Sequence, residues 1–252
     1  MKNVNSDIAY DFLRKRILNG EYPPGRALMT EVLSDEIGVS RTPVRDALRK
    51  LEADGLVSIR ARLGASVKKM DVKEFREMCD LRLALESHAA GLAAVNRRPA
   101  DLREIEFALE GMRGLTVRMI AADREEALIG ELVREDVRFH IAIMTAAKND
   151  LMKKEILRLH LINRVVSGPS SAPASPERGL AERKEKQARR RVVLASHEEI
   201  YEAIAKLDAP AAKHAMERHI QDIIDSSLRT MVRAESGLIA RELAPDELSY
   251  TA

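Results

Sequence analysis

Residues 38–57, GVSRTPVRDALRKLEADGLV, constrain this chain more than any other stretch. Gly38 stops whatever helix precedes it, and Ser40 stands where an N-cap is expected. Pro43 fits a first helical turn, where backbone N–H groups have no partner within the helix. Val44, Ala47, Leu48 and Leu51 then recur at helical spacing and define an inner face. Arg41, Arg45 and Arg49 recur every four residues and form one outer ridge. The helix is expected over about 41–53, ending before Gly55. A ridge of three guanidinium groups belongs in water or against a polyanion, not in a core.

The flanks settle which fold carries that helix. Residues 6–19, SDIAYDFLRKRILN, place apolar side chains at 8, 9, 12, 13, 17 and 18, a helical pattern with Ser6 as its expected N-cap. NGEYPPG stops it. TEVLSDEI, residues 30–37, reads as a short helix capped by Thr30 and ended by Gly38. Beyond Gly55, LVSIR and ASVKK flank a turn around Leu63–Gly64, which reads as a β-hairpin. Helix, short helix, tight turn, third helix and ribbon is the order of a winged helix-turn-helix. In that fold Arg41, Arg45 and Arg49 are placed to reach guanine edges or phosphates, and Thr42 to donate to a phosphate. Arg60 and Arg62 flank the wing tip, where a minor groove or a phosphate would lie. Charge agrees weakly: residues 1–69 carry 13 Lys/Arg against 9 Asp/Glu, while the other 183 carry 29 against 31.

After Met70 the β signal vanishes. Helices are expected at 72–96, 101–121, 124–147, 150–166, 191–207 and 209–234. Leu, Ala, Arg and Glu dominate, and an apolar share of 45% suffices for a core. SGPSSAPASPERG, residues 167–179, reads as a loop or linker. The run that follows carries seven Lys/Arg between Arg178 and Arg191 against two Glu, a solvated helical face in its simplest reading. The expected fold class is therefore mainly α: a winged helix-turn-helix at 1–69, an all-helical bundle at 70–236, and a disordered tail at 237–252. No run of 18 apolar residues marks a membrane span, and the start lacks a signal-peptide pattern. Cys79, the single cysteine, reads as core filler. These features fit a cytoplasmic protein.

EDVRFH, residues 135–140, sets Asp136 and His140 four residues apart in a helix whose neighbouring apolar positions are Leu132, Ile143 and Ala147. Two ionisable groups aimed at a core can serve catalysis, hold a metal, or satisfy each other. Of the six histidines, His197 lies on the stripe Val193, Ile200, Ile204, Leu207, and His219 on the stripe Ala212, Met216, Ile223. His214 reads as solvated, His160 as ambiguous, and His88 as packing or surface. Three inward imidazoles and one carboxylate suit a divalent ion such as Zn²⁺, Ni²⁺, Mn²⁺ or Fe²⁺, although a lone core histidine is more often just hydrogen-bonded. Arg82 lies on an inward stripe and can clamp a carboxylate bidentately or pair with Glu86 one turn later.

GVSRTPVRDALRKLEADGLV, with ILNGEYPPGRAL upstream, resembles the winged helix of GntR-type bacterial transcription regulators. DLRLALESHAAGLAA, DVRFHIAIMTAAKND and SHEEIYEAIAKLDAPAAKHAMERHI resemble the helical effector domain of the fatty-acid-regulator branch of that family. The resemblance implies a homodimer on a two-fold operator, with DNA contacts at Arg41, Thr42, Arg45 and Arg49. Glu31 replaces an arginine that some members place at the start of the second helix, and the wing tip RLGAS, in place of His-Gly, shifts attention to Arg62. It also implies a metal held by Asp136, His140, His197 and His219, and an effector contact at Arg82.

The expected function is a DNA-binding transcription regulator, by default a repressor, controlled by a small carboxylate at the metal site. A metal-responsive regulator is one alternative. A metal-dependent hydrolase fused to a DNA-binding module is another, but the chain has no helical H-E-x-x-H and no nucleophile elbow, so no enzyme is expected.

Overall fold

The structure is a computed structural model that describes residues 4–121, 126–167 and 179–242. Among them are nine helices and one hairpin: α1 (Val4–Leu18), α2 (Thr30–Ile37), α3 (Arg41–Ala53), β1 (Val57–Arg60), β2 (Gly64–Val67), α4 (Val72–Asn96), α5 (Pro99–Ala121), α6 (Glu126–Ala146), α7 (Asp150–Ser167), α8 (Gly179–Ala205) and α9 (Ala209–Glu242). The molecule is mainly helical, with a winged helix-turn-helix at its N-terminus and a helical bundle after it.

The winged module closes over the apolar faces of its three helices. Ala9, Leu13 and Ile17 of α1 meet Leu33 of α2 and Val44, Ala47, Leu48 and Leu51 of α3 in one buried cluster. Gly38 adopts φ 75 after α2, the left-handed conformation that lets the chain turn directly into α3. The wing is antiparallel, with Val57 opposite Val67 and Arg60 opposite Gly64. Val57 and Val67 turn into the module's core while the outer end stands in solvent.

Several helix starts differ from expectation. α1 begins at Val4, so Ser6 lies buried inside the helix rather than capping it. Met29 occupies the N-cap of α2, Thr30 is its first residue, and no side chain caps the turn. Ser40 does occupy the N-cap of α3 but makes no capping hydrogen bond. A full capping box opens α4: Asp71 accepts from the Glu74 backbone and Glu74 accepts from that of Asp71. The basic run and the helix expected at 191–207 are one continuous 27-residue helix, α8. α9 runs on to Glu242, past the expected end at 234 and into the segment read as tail. Most of the Pro/Ser-rich linker, and the tail from 243, lie outside the described residues.

The chain divides into two compact units. One holds the winged module together with α7 from Lys154 onward and the first residues of α8, and the other holds the rest of the helical bundle. The second half of α7 is tied to the winged module by apolar contact: Val165 is buried in that core and Leu161 packs against it. Arg164 Nε also donates to the Leu18 carbonyl at 3.1 Å. In the second unit α4 packs along α9, and α5 along α6.

Candidate metal centre and nucleic-acid interface

The second unit places His140 of α6, His197 of α8 and His219 of α9 together, all three almost wholly buried. Their ring centroids lie 4.3–5.7 Å apart. The buried Phe139 ring stands edge-on to His197 at 5.0 Å and walls one side. Asp136, one turn before His140, brings Oδ1 to 3.0 Å from His197 Nε2. Its side chain is 39% exposed, so it forms the solvent rim of the cluster rather than part of the core.

The hydrogen-bond partners decide which ring nitrogen each imidazole offers. His197 Nδ1 lies 2.7 Å from the Val193 carbonyl, which can only accept, so Nδ1 carries the proton. Ser196 Oγ donates to that same carbonyl at 2.7 Å. Its hydroxyl proton is thereby used, so it accepts from His219 Nδ1 at 2.8 Å. His140 Nδ1 faces the buried Glu86 carboxylate at 3.2 Å. All three rings therefore turn Nε2 inward. Backing each ligand histidine at its other nitrogen is how proteins orient imidazoles for a metal.

The spacing also fits an ion. His140 Nε2 and His219 Nε2 are 3.3 Å apart, and one ligand atom from each of the three histidines falls within 4.8 Å of the others. Nitrogens bound tetrahedrally at about 2.0–2.1 Å sit roughly 3.3–3.4 Å from one another. With its proton on Nδ1, buried His197 Nε2 faces the Asp136 carboxylate as one acceptor against another, a contact that a cation between them would relieve.

Electrostatics follow the same geometry. Burial disfavours charge on His219, and the neighbouring imidazoles His197 and His140 add to this, pushing its pKa down to about 2. Burial also disfavours charge on His140, but Glu86 and Asp136 outweigh it and its pKa rises. Burial works against ionisation of Asp136 as well, yet His197 and the other two imidazoles hold its carboxyl well below the usual carboxylate range.

Arg82 is buried, and its Nε donates to Glu86 Oε1 at 2.9 Å. The Glu86 partner named from the sequence is in place. Glu86 thus links Arg82 to His140. Sequence reading named Glu86 only as a partner for Arg82 and passed over its contact with His140 and the role of Ser196, because neither carries a periodic signal. His214 and His88 are exposed. Leu207, placed on the inner stripe by spacing, instead leaves the helix at φ 61 and is exposed.

In the winged unit Arg41, Thr42, Arg45 and Arg49 all lie exposed on α3, opposite the buried Val44, Ala47, Leu48 and Leu51. Glu31 contacts Arg41 at 3.2 Å, and Asp46 contacts Arg49 at 3.7 Å. Arg62 stands at the wing tip with φ 67, beside an exposed Leu63.

A winged helix with an exposed arginine ridge, followed on the same chain by a helical bundle with a buried imidazole cluster, defines a class: DNA-binding transcription regulators of the helix-turn-helix type. Residues 5–67 match the family described as bacterial regulatory proteins, gntR family, and residues 77–222 match the FCD domain. The chain belongs to the GntR family of transcription regulators, in the branch with an FCD C-terminal domain. The HTH-type transcriptional regulator LutR of Bacillus subtilis is 31% identical over 225 residues, covering 83% of this chain and 94% of that protein. The HTH-type transcriptional repressor RspR of Escherichia coli is 29% identical over 224 residues, covering 88% of each. These relatives are regulators, not enzymes. The solved structure of E. coli McbR/YncC shares the fold, with a TM-score of 0.65 at 22% identity over 91% of this chain and 99% of that one.

Proposed function

We propose that this regulator represses transcription from an operator bound as a homodimer, and releases it when a small carboxylate binds at a divalent ion in the second unit. Asp136, His140, His197 and His219 would hold the ion; the boundary between DNA-reading and effector-reading segments is placed near residue 70. The observation that carries the reading is the convergence of three buried Nε2 atoms, each with its Nδ1 partner fixed. The ion would supply a Lewis-acidic centre with a position open to a carboxylate. Its identity follows from the donor set only to the class Zn²⁺, Ni²⁺, Mn²⁺ or Fe²⁺.

This chain's own residues do the rest. Glu86 and Ser196 hold His140 and His219 in the donating orientation. Asp136 stands where a ligand would arrive from solvent. Arg82 presents Nε to Glu86, and its guanidinium would also receive an effector carboxylate. Arg41, Thr42, Arg45 and Arg49 would enter the major groove, and Arg62 the minor groove or its phosphates. Leu81, Leu85, His88, Leu92 and Val95 follow a four-three spacing along α4, with Leu81 and Val95 about half exposed or more; this stripe supports helix pairing between two copies.

Operator binding by the purified, metal-loaded protein tests the proposal. Small carboxylates should release the DNA, and a chelator should abolish that response. Release by metal alone would point to a metal sensor. No release by any carboxylate across a broad panel would overturn the effector reading.

A further inference from the structure

The end of α4 reaches two other helix ends. Asn96 Nδ2 donates to the Ala147 carbonyl, just past α6, at 3.0 Å. Arg97 follows at once and forks onto α8: Nε donates to the Ile204 carbonyl at 2.9 Å and Nη2 to that of Ala205 at 2.6 Å. The last carbonyls of a helix have no partner inside it. Here consecutive residues of a third helix supply partners for two such ends.

The gripped positions are not arbitrary. Ala147 is seven residues after His140, and Ile204 is seven after His197. Seven residues make almost two turns, so each carbonyl lies on the same helix face as its histidine, about 10 Å along the axis. At the other end of this frame, Glu86 of α4 contacts His140 of α6 at 3.2 Å. The chain passes from Glu86 to Asn96 in α4 and from His140 to Ala147 in α6, so the two run in the same direction. α8 runs with them, since Arg97 meets its C-terminal end.

Three helices aligned this way gather the negative ends of three macrodipoles. A guanidinium is the group that such a place needs, and its planar fork fixes direction as well as charge.

We infer that Asn96 and Arg97 are positioning residues for the imidazole cluster: they set the axial register of α6 and α8, and with it the spacing of the His140 and His197 nitrogens. The inference rests on the metal reading above. A slip of either helix would carry its histidine along the axis by the same amount, and a metal site tolerates only a few tenths of an ångström.

The test is zinc affinity of the full chain, measured by competition with a chromophoric chelator at a temperature where circular dichroism shows every variant fully folded. Arg97→Ala should raise the zinc Kd at least tenfold, and Asn96→Ala severalfold. Arg97→Lys keeps the charge but loses the fork, and should fall between wild type and Arg97→Ala. Lys206→Ala removes an exposed ion pair to Glu202 at the same end of α8 and should leave the Kd unchanged. A folded Arg97→Ala protein within twofold of wild type overturns the positioning role. Should that variant not fold, Arg97→Lys and Asn96→Ala decide on the same criterion. Wild-type protein that binds no zinc overturns the metal reading itself, a different result from normal wild-type binding with no effect of the variants.

Discussion

At the scale of single residues, the three imidazoles are distinguished by what backs them. Ser196 turns its only proton to a carbonyl and so must accept from His219. Ser196→Ala removes that acceptor and should weaken metal binding roughly 10- to 100-fold, read by chelator competition, with little change in the fold. Metal-free protein should also show a characteristic pH dependence. His219 has a folded pKa far below its unfolded value of 6.5, so below pH 6.5 the unfolded state binds more protons and stability falls on acidification. The slope from this group is at most about 1.4 kcal/mol per pH unit. His140 has the opposite sign: its folded pKa is raised, so the stability it contributes is lost as pH rises above 6.5. His219 and His140 together therefore favour maximum stability near pH 6.5 without metal. Thermal melts of chelator-treated protein from pH 4.5 to 8.5 would check this. A bound ion requires deprotonated Nε2 atoms and should move the maximum upward.

At the scale of elements, α3 illustrates how far periodicity carries. Its buried face and its exposed arginines are where a 3.6-residue repeat puts them. Arg45→Ala should weaken operator binding by about 1–3 kcal/mol in a mobility-shift titration, with metal content and secondary structure unchanged. The turn after α3 shows where periodicity stops. Gly55 has φ 79, and a Cβ there would lie 2.6 Å from Ile162 Cδ1 of α7. Gly55→Ala should destabilise by about 1–3 kcal/mol through backbone strain and overpacking. Adding Ile162→Ala should recover only the packing part, so a double-mutant cycle in chemical denaturation separates the two costs. Sequence marked Gly55 as a helix stop. It could not mark the helix that closes on it, because Ile162 is distant in the chain.

At the scale of the whole molecule, an ion at the proposed site would be linked to the fold of the second unit, since His140, His197 and His219 of α6, α8 and α9 meet only when that unit is folded. Removing the ion should lower the melting temperature by on the order of 5–10 °C at a hundredfold excess of ion over Kd, and re-adding it should restore the loss. A chelator without effect on the melt would count against an ion in the cluster. Self-association belongs to this scale too. Leu81→Glu with Val95→Glu should shift the protein toward monomer in light scattering if α4 pairs two copies.

Much of this protein is written locally. The alternation of apolar and charged residues in α3, the glycine after α2 and the short ribbon specify a winged helix, because each depends on neighbours a few residues away. The same local logic placed Asp136 with His140, and set His197 and His219 on the inner faces of their helices. What tertiary structure decided depends on residues far apart in the chain. It brought Glu86 to His140, turned Asp136 to the rim, and let Asn96 and Arg97 grip the ends of α6 and α8. None of these has a period. A buried donor or acceptor must find a partner wherever the packed helices bring one, and that choice is made only when the chain has closed.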